Sequence, residues 1–351
     1  MSAAESFKKY NLDLIKLPDG FHIELYAEIP NARQMTVSPS GILYVGTREG
    51  DKVHAVKKNA DGSTSVFPVV SGMKEPNGVA FKDGSLYYAT VSTIYRLDSI
   101  ESKLANPPKP VVVYDQLPTK EWHGQKFIAF GPDGKLYIPI GGPCNVCAID
   151  SPFASINRMN ADGTGFETYA RGVRNSVGFD WSPDSKELWF TDNGRDEMGD
   201  DMPSDELNYA PKPGMHFGFP YCHQGDTMDP KFGAGKSPSD FTPPAYKLGA
   251  HVASLGMRFY TGSMFPATYK NQIFIAEHGS WNRSKKSGYR VVLCHLEGSK
   301  IVQMEPFATG WLRPDEDVTG RVVDVQVAPD GALFVSDDMR GAVYRIYYQK
   351  P

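Results

Sequence analysis

The 351-residue chain contains no uninterrupted run of about 18 apolar residues, so no membrane-spanning helix is expected. Neither sign of charge is in excess. Lys and Arg number 37 against 41 Asp and Glu, a net of -4, which leaves no basic field for nucleic acid. No long segment keeps a 3.6-residue apolar period, which excludes a helical bundle. The opening stretch, MSAAESFKKYNLDL, is polar and has no apolar centre, so as it stands it is not a signal peptide. Cysteine is scarce, with four residues: Cys144, Cys147, Cys222 and Cys294. Cys144 and Cys147 form a C-x-x-C, but the other two do not supply a second pair at zinc-site spacing. A local disulfide and a pair of free thiols remain open, with metal or redox catalysis a distant third.

Turn formers, by contrast, are plentiful: 34 Gly and 27 Pro, with 12% aromatics to fill a core. One pattern recurs: an apolar strand, a Pro-Asp-Gly-like turn, then a second strand ending in small or polar residues. It reads MTVSPSGILYVGT at 35–47, VAFKDGSLYYAT at 79–90 and FIAFGPDGKLYIPIG at 127–141. It returns as VGFDWSPDSKELWFTD at 177–192, in longer form at 257–279, and as VQVAPDGALFVSDD at 325–338. Further strand material follows each copy. Six units of this kind predict an all-β fold, a six-bladed β-propeller with four-stranded antiparallel blades. Chains of this length with that fold form one domain, so a single unit spanning 1–351 is expected.

In a propeller the residues just before each innermost strand gather at one mouth of the central channel. Those positions hold Arg33-Gln34, Asn77, Trp122-His123, Arg174-Asn175, His251 and Arg321. Any one could be polar simply because turns are polar. Six together, three of them with arginine, describe a pocket for an anionic, hydrogen-bonding small molecule. Long insertions at 142–152, 193–220 and 278–287 are expected on the same face, where loops build sites. The Gly-, Pro- and Ser-rich stretch 225–246 reads as an irregular excursion.

The stretch 172–208 is the most informative. A hairpin is bracketed by Arg174-Asn175 and by a run containing Asp192, Asp196, Glu197, Asp200, Asp201, Asp205 and Glu206. Both ends of a hairpin lie at one sheet edge, so the basic pair and this acidic loop should share a face. The loop is either a Ca²⁺ site, without EF-hand spacing, or a solvated acidic surface. At Asn193-Gly194-Arg195 a glycine would let carbonyls turn toward a cation. His123, at the mouth, has the chemistry of a general base near neutral pH, with His251, His278 and His216 as weaker candidates. Asn282-Arg283-Ser284 matches a glycosylation sequon, a weak signal alone.

The strings His123-Gly124-Gln125 through Gly131-Pro132-Asp133-Gly134-Lys135-Leu136-Tyr137, Gly172-Val173-Arg174-Asn175, and Asp205-Glu206-Leu207-Asn208 before Phe217-Gly218-Phe219-Pro220 carry a resemblance. In this order they resemble the soluble quinoprotein sugar dehydrogenases. These are the pyrroloquinoline quinone (PQQ)-dependent glucose, aldose and sorbosone enzymes and the related pyranose dehydrogenase domain. The resemblance runs from about Leu17 to Ile346, and the short aldose and sorbosone branch fits best. It implies a six-bladed propeller, PQQ and Ca²⁺ as cofactors, a sugar substrate and an external electron acceptor. It also implies His123 as base, Arg174, Asn175 and Arg321 as cofactor ligands, and the carbonyls of Gly194 and Arg195 as the metal site. The mouth positions add Arg33, Asn77 and His251 to the cofactor-binding set. Three departures stand out. A second arginine of the last blade falls on Val323, and the acid beside the base is Trp122. The cofactor lysine falls loosely on 282–285, where Arg283 is the expected substitute. The polar N-terminus leaves a cytoplasmic protein or one whose export signal is not part of this sequence, and a periplasmic or secreted location is expected. A calcium-dependent lactonase or esterase of the six-bladed type, and a non-catalytic sugar-binding propeller, are the competing readings.

Overall fold

The computed structural model describes residues 3–350. Its architecture is a six-bladed propeller of antiparallel sheets with almost no helix. Blade one is formed by Ala32–Val37, Leu43–Thr47, Val53–Lys58 and Thr64–Val70. Blade two is Gly78–Lys82, Ser85–Ala89, Ile94–Leu97 and Val111–Tyr114. Blade three is Ala129–Phe130, Leu136–Ile140, Ser155–Met159 and Glu167–Arg171, with Met215–His216 added in parallel at its edge. Blade four is Phe179–Trp181, Leu188–Asp192, Ser204–Ala210 and Tyr246–Ala250. Blade five is Ser254–Phe259, Ile273–Glu277, Arg290–Glu297 and Lys300–Ala308.

Each of the six sequence repeats supplies the two innermost strands of one blade. The second strands of blades one, three, four, five and six are buried at every residue. Sheets packed on both sides leave no solvent face, so these strands read as continuous apolar runs rather than as alternations.

Blade six joins the two ends of the chain. Val322–Val327, Leu333–Asp337 and Ala342–Tyr348 take Phe21–Glu28 as their outer strand, in antiparallel register from Phe21 opposite Tyr348 to Glu28 opposite Ala342. Phe21 anchors this closure among aromatic rings, with centroids 4.8 Å from Phe265 and 5.1 Å from Phe307.

Polar side chains tie the inner strands across the channel. Gln34 hydrogen-bonds both backbone groups of Val79 and of Ile128, linking blades one, two and three. It therefore braces the channel rather than facing the mouth, as its place beside Arg33 suggested. Asp180 accepts the Phe259 N–H at 2.9 Å, and Asp324 accepts that of Met35 at 2.8 Å. Arg258 donates to Met257, Gln326 and Met35. At Gly178 the blades approach so closely that a Cβ would sit 2.1 Å from the Leu255 carbonyl, so only glycine fits.

One expectation needs correction. Residues 204–210 lie inside the stretch read as an insertion, yet they form the third strand of blade four. Asp205 and Glu206 are buried strand residues, not loop residues. Their oxygens find partners inside the sheet: Asp205 accepts the N–H groups of Gly194 and Ser254, and Glu206 accepts from Asn208. The acidic loop proper is thereby reduced to Asp196, Glu197, Asp200 and Asp201.

Candidate active site

At one mouth of the channel lies a cavity of about 620 Å³. The turns preceding the inner strands and the insertions after the second strands meet there, as the repeat pattern predicted. Arg33, His123, Arg174, Asn175, Gly194, His251 and Arg321 line it. Asn77, Arg195 and Arg283 do not.

The reasons are local. Asn77 is fully enclosed behind Arg33, accepting from its Nε and donating to the Lys126 carbonyl. Arg195 turns outward to Asp229, with Nη1 2.6 Å from the carboxylate that also receives His223 Nε2 at 2.9 Å. Arg283 spends its guanidinium on the acidic loop: Nε on the Asp200 carbonyl, Nη2 on the Asp201 carboxylate, and Nη1 on the Lys285 carbonyl. Its guanidinium, expected from the sequence to face a cofactor, is thus engaged outside the cavity lining. Val323 is buried core.

Four guanidiniums face the cavity, and each is held differently. Arg33 is buried and ion-paired to Asp338 at 2.8 Å. Arg174 donates Nε and Nη2 to the carbonyl and side-chain oxygen of Asn145, and Nη1 to the Asn193 carbonyl. Arg321 reaches the carbonyls of His278 and Gly279, both at 3.4 Å. Arg48, half-buried, lines the cavity with no hydrogen bond or ion pair among the described residues. Sequence reasoning missed it because it follows a second strand rather than preceding an inner one. The acids on the walls are largely occupied: Glu121 by Lys74, Glu75 by Gln125, and Asp205 by two backbone N–H groups.

His123 sits at a positive φ of 51°. Its Nδ1 is 2.8 Å from the Gly142 carbonyl, which can only accept, so Nδ1 carries the proton and Nε2 the lone pair. What orients this ring is therefore a backbone carbonyl; Trp122, in the place of an acid, stands half-exposed on the rim. Gly141 makes room: a Cβ there would come within 2.5 Å of the His123 Cβ. Burial, reinforced by the Arg174 charge, pushes His123 down to about 3, so the imidazole is neutral throughout the physiological range.

The rival histidines are differently engaged. His251 Nε2 donates to the Gly199 carbonyl, and its Nδ1 lies 3.8 Å from the Asp196 carboxylate. His278 donates Nε2 to Asp338 at 3.0 Å, and burial lowers it to about 4. Burial pushes Asp338 up, but its bonds and charges with His278 and Arg33 outweigh this and hold it well below the usual carboxylate range. His216 lies outside the cavity, against Phe241.

Behind the wall, buried carboxylates clamp the site's backbone. Asp192 accepts the N–H groups of Arg174 and Asn175 at 2.8 and 2.6 Å, and Asp337 accepts that of Arg321 at 3.0 Å. Burial raises Asp192 and Glu206 together, with Asp192 adding to the rise at Glu206. No set of three or more His, Cys, Asp or Glu side chains converges on a metal position among the described residues. No helix among them is long and apolar enough to cross a membrane. Cys144 and Cys147 are joined in a disulfide, and Cys222 and Cys294 are buried and free.

The family model for glucose and sorbosone dehydrogenases matches residues 89–345. An uncharacterized protein of Borreliella burgdorferi is 33% identical over 96% of this chain and 91% of its own length. The holo pyranose dehydrogenase PQQ domain of Coprinopsis cinerea superposes with a TM-score of 0.82 at 17% identity, covering 95% of this chain and 97% of that one. The calcium structure of a Trichoderma reesei family AA12 carbohydrate-active enzyme gives 0.83 at 18%, covering 95% and 97%. The PQQ-bound aldose sugar dehydrogenase of Streptomyces coelicolor gives 0.65 at 21%, covering 95% and 100%. These three share the fold.

Proposed function

The chain belongs to the glucose/sorbosone dehydrogenase family, and on that premise we propose that it is a quinoprotein oxidising a hydroxyl of an aldose, pyranose or sorbosone-like sugar. PQQ and Ca²⁺ are its proposed cofactors, and His123 its general base. When bound, PQQ supplies the hydride acceptor and Ca²⁺ the Lewis acid that polarises it.

The residues present fit such a ligand. PQQ is a tricarboxylate, and guanidiniums bind carboxylates through paired N–H donors. Arg48 offers an unpaired guanidinium at the cavity, and Arg33, Arg174 and Arg321 add three more held in fixed orientations. Arg174 has three of its N–H groups committed to Asn145 and Asn193, which leaves one on each terminal nitrogen for a ligand. With no convergent side-chain ligand set, a cation here would draw on backbone carbonyls and on the cofactor itself. Gly194 is the candidate on the cavity wall, with Arg195 behind it.

The observation that carries the reading is His123. A neutral imidazole, locked as the Nδ1–H tautomer by Gly142, presents an unpartnered Nε2 in the same cavity as four guanidiniums. That nitrogen accepts the proton of the sugar hydroxyl, a role worth about 10²–10⁴ in rate for a base matched to the working pH; the Arg174 charge that helps to lower its basicity is one that a bound tricarboxylate would offset. The partners are then a sugar and an external electron acceptor. A periplasmic or extracellular location is supported by the Cys144–Cys147 disulfide, since such bonds persist in oxidising compartments.

The test is to mix the purified chain with PQQ and Ca²⁺ and to assay a sugar panel with an artificial electron acceptor. A bound-quinone absorption band and sugar-dependent dye reduction are expected. Lactone hydrolysis without PQQ, and no quinone binding, would replace this reading with the calcium-dependent lactonase.

A further inference from the structure

We propose that Asn145, carried in a loop closed by the Cys144–Cys147 disulfide, is a positioning residue that sets the Arg174 guanidinium and the Gly194 loop for cofactor binding. The proposal rests on the functional reading above.

The C-x-x-C lies in the irregular connection after Leu136–Ile140, where no sheet holds the backbone. Its two cysteines have Cα atoms 6.2 Å apart, with Asn145 and Val146 between them. Asn145 does not line the cavity, yet its side-chain amide and its backbone carbonyl reach Arg174 and Asp196. Its side-chain oxygen accepts from Arg174 Nη2 at 3.0 Å and from the Asp196 N–H at 2.8 Å. Its amide nitrogen donates to the Asp196 carbonyl at 3.1 Å, and its backbone carbonyl accepts from Arg174 Nε at 2.9 Å. One residue thus holds an edge of the guanidinium and both backbone groups of Asp196, two positions beyond Gly194. The opposing acid, the Asp196 carboxylate, is 3.6 Å from Nη2 and fixes the plane far less.

Orientation matters here because a guanidinium recognises a carboxylate through a planar fork, and a tilted fork forfeits one of its two bonds. An irregular loop offers such alignment only if its own freedom is restricted. A ring as short as 144–147 constrains the unfolded chain less than a long loop would. Its effect on binding is therefore sought in local order around Asn145, read from affinity rather than from global stability.

The experiment compares the full chain with Asn145→Ala, with Cys144→Ser/Cys147→Ser, and with the triple variant. Each is titrated with PQQ at saturating Ca²⁺. Asn145→Ala should weaken PQQ binding about tenfold or more, the scale of a lost hydrogen bond to a charged group. Its turnover at saturating PQQ should stay near wild type. The Arg174 Nη2 and Asp196 N–H groups also lose their acceptor, so its unfolding temperature without PQQ should fall by a few degrees. The cysteine pair should weaken binding in the same direction, and the triple variant no further than Asn145→Ala alone, because the disulfide acts through Asn145. Wild-type PQQ affinity in Asn145→Ala, or losses that multiply in the triple variant, would overturn the proposal. A wild-type chain that binds no PQQ refutes the functional reading instead. Exchange of the Asp196 amide hydrogen then decides the positioning role: faster in Asn145→Ala and in the cysteine variant supports it, unchanged rates overturn it.

Discussion

Blades four to six and blades one to three build opposite walls of one cavity by different means. The second strands of blades four, five and six end in Asp192, Glu277 and Asp337, all buried carboxylates. The equivalent positions in blades one, two and three are Thr47, Ala89 and Ile140. Where the carboxylate is present in blades four and six, it grips the backbone of Arg174, Asn175 and Arg321 directly. Where it is absent, site residues are held through their side chains: Arg33 by Asp338 from blade six, and His123 by the Gly142 carbonyl. Arg48 is not held at all. A six-fold repeat thus gives an asymmetric cavity: Arg174 and Arg321 sit on backbone gripped by a buried carboxylate, and Arg33, Arg48 and His123 face them without that grip.

The sharpest way to break this contrast is Asp192→Ala. Two enclosed N–H groups would lose their acceptor, at about 1–3 kcal/mol each. Denaturant unfolding should show the sum, and PQQ affinity should fall with it. Arg48→Ala addresses the opposite wall. With no protein partner to orphan, it should leave the apo stability unchanged while weakening PQQ binding roughly tenfold, the worth of one charge-assisted contact. Thr47→Ala should be milder still. Its hydroxyl donates only to the Lys52 carbonyl, at 2.7 Å, so a loss of about 1 kcal/mol is expected, with PQQ affinity untouched.

The smallest effect concerns Glu277, the carboxylate of the three that clamps no site residue. Burial pushes it up to about 7, against the opposing Arg290 pair at 2.6 Å. An unfolded Glu titrates near 4.5. Between those values the folded chain keeps a proton that the unfolded chain has released, so this group's contribution to stability falls as pH rises from 4.5 to about 7. Glu277→Gln should flatten that part of the pH profile of the unfolding temperature. An unchanged profile would show that Arg290 keeps Glu277 ionised.

The repeat was readable because each blade's inner hairpin is a local unit: strand, Pro-Asp-Gly-like turn, strand. The closure by Phe21–Glu28 was not, because its partner Ala342–Tyr348 lies at the far end of the chain and strand pairing leaves no local mark. Asp205 and Glu206 were misread as loop because buried charges break the apolar pattern that identifies strands. Arg33, His123, Arg174, Asn175, His251 and Arg321 were found by their place before an inner strand, Gly194 by its glycine and by the resemblance, and all of them line the mouth. Arg283 was not separable from them by sequence, since only tertiary contacts with Asp200 and Asp201 show where its side chain goes; at Arg195 the expectation concerned the backbone carbonyl, which the side-chain contact with Asp229 does not decide. Asn145 and Arg48 carried no signal of their own. One is defined by what it holds, the other by having nothing to hold.

The most direct measurement is turnover of His123→Ala beside His251→Ala, both at saturating PQQ and Ca²⁺ with a sugar that the wild type oxidises. His123→Ala should bind PQQ nearly as well as wild type and lose at least about a hundredfold in turnover, while His251→Ala, whose ring nitrogens are turned to the Gly199 carbonyl and to Asp196, should keep most of it. Near wild-type turnover in His123→Ala, with the loss appearing in His251→Ala, would contradict the assignment of the base.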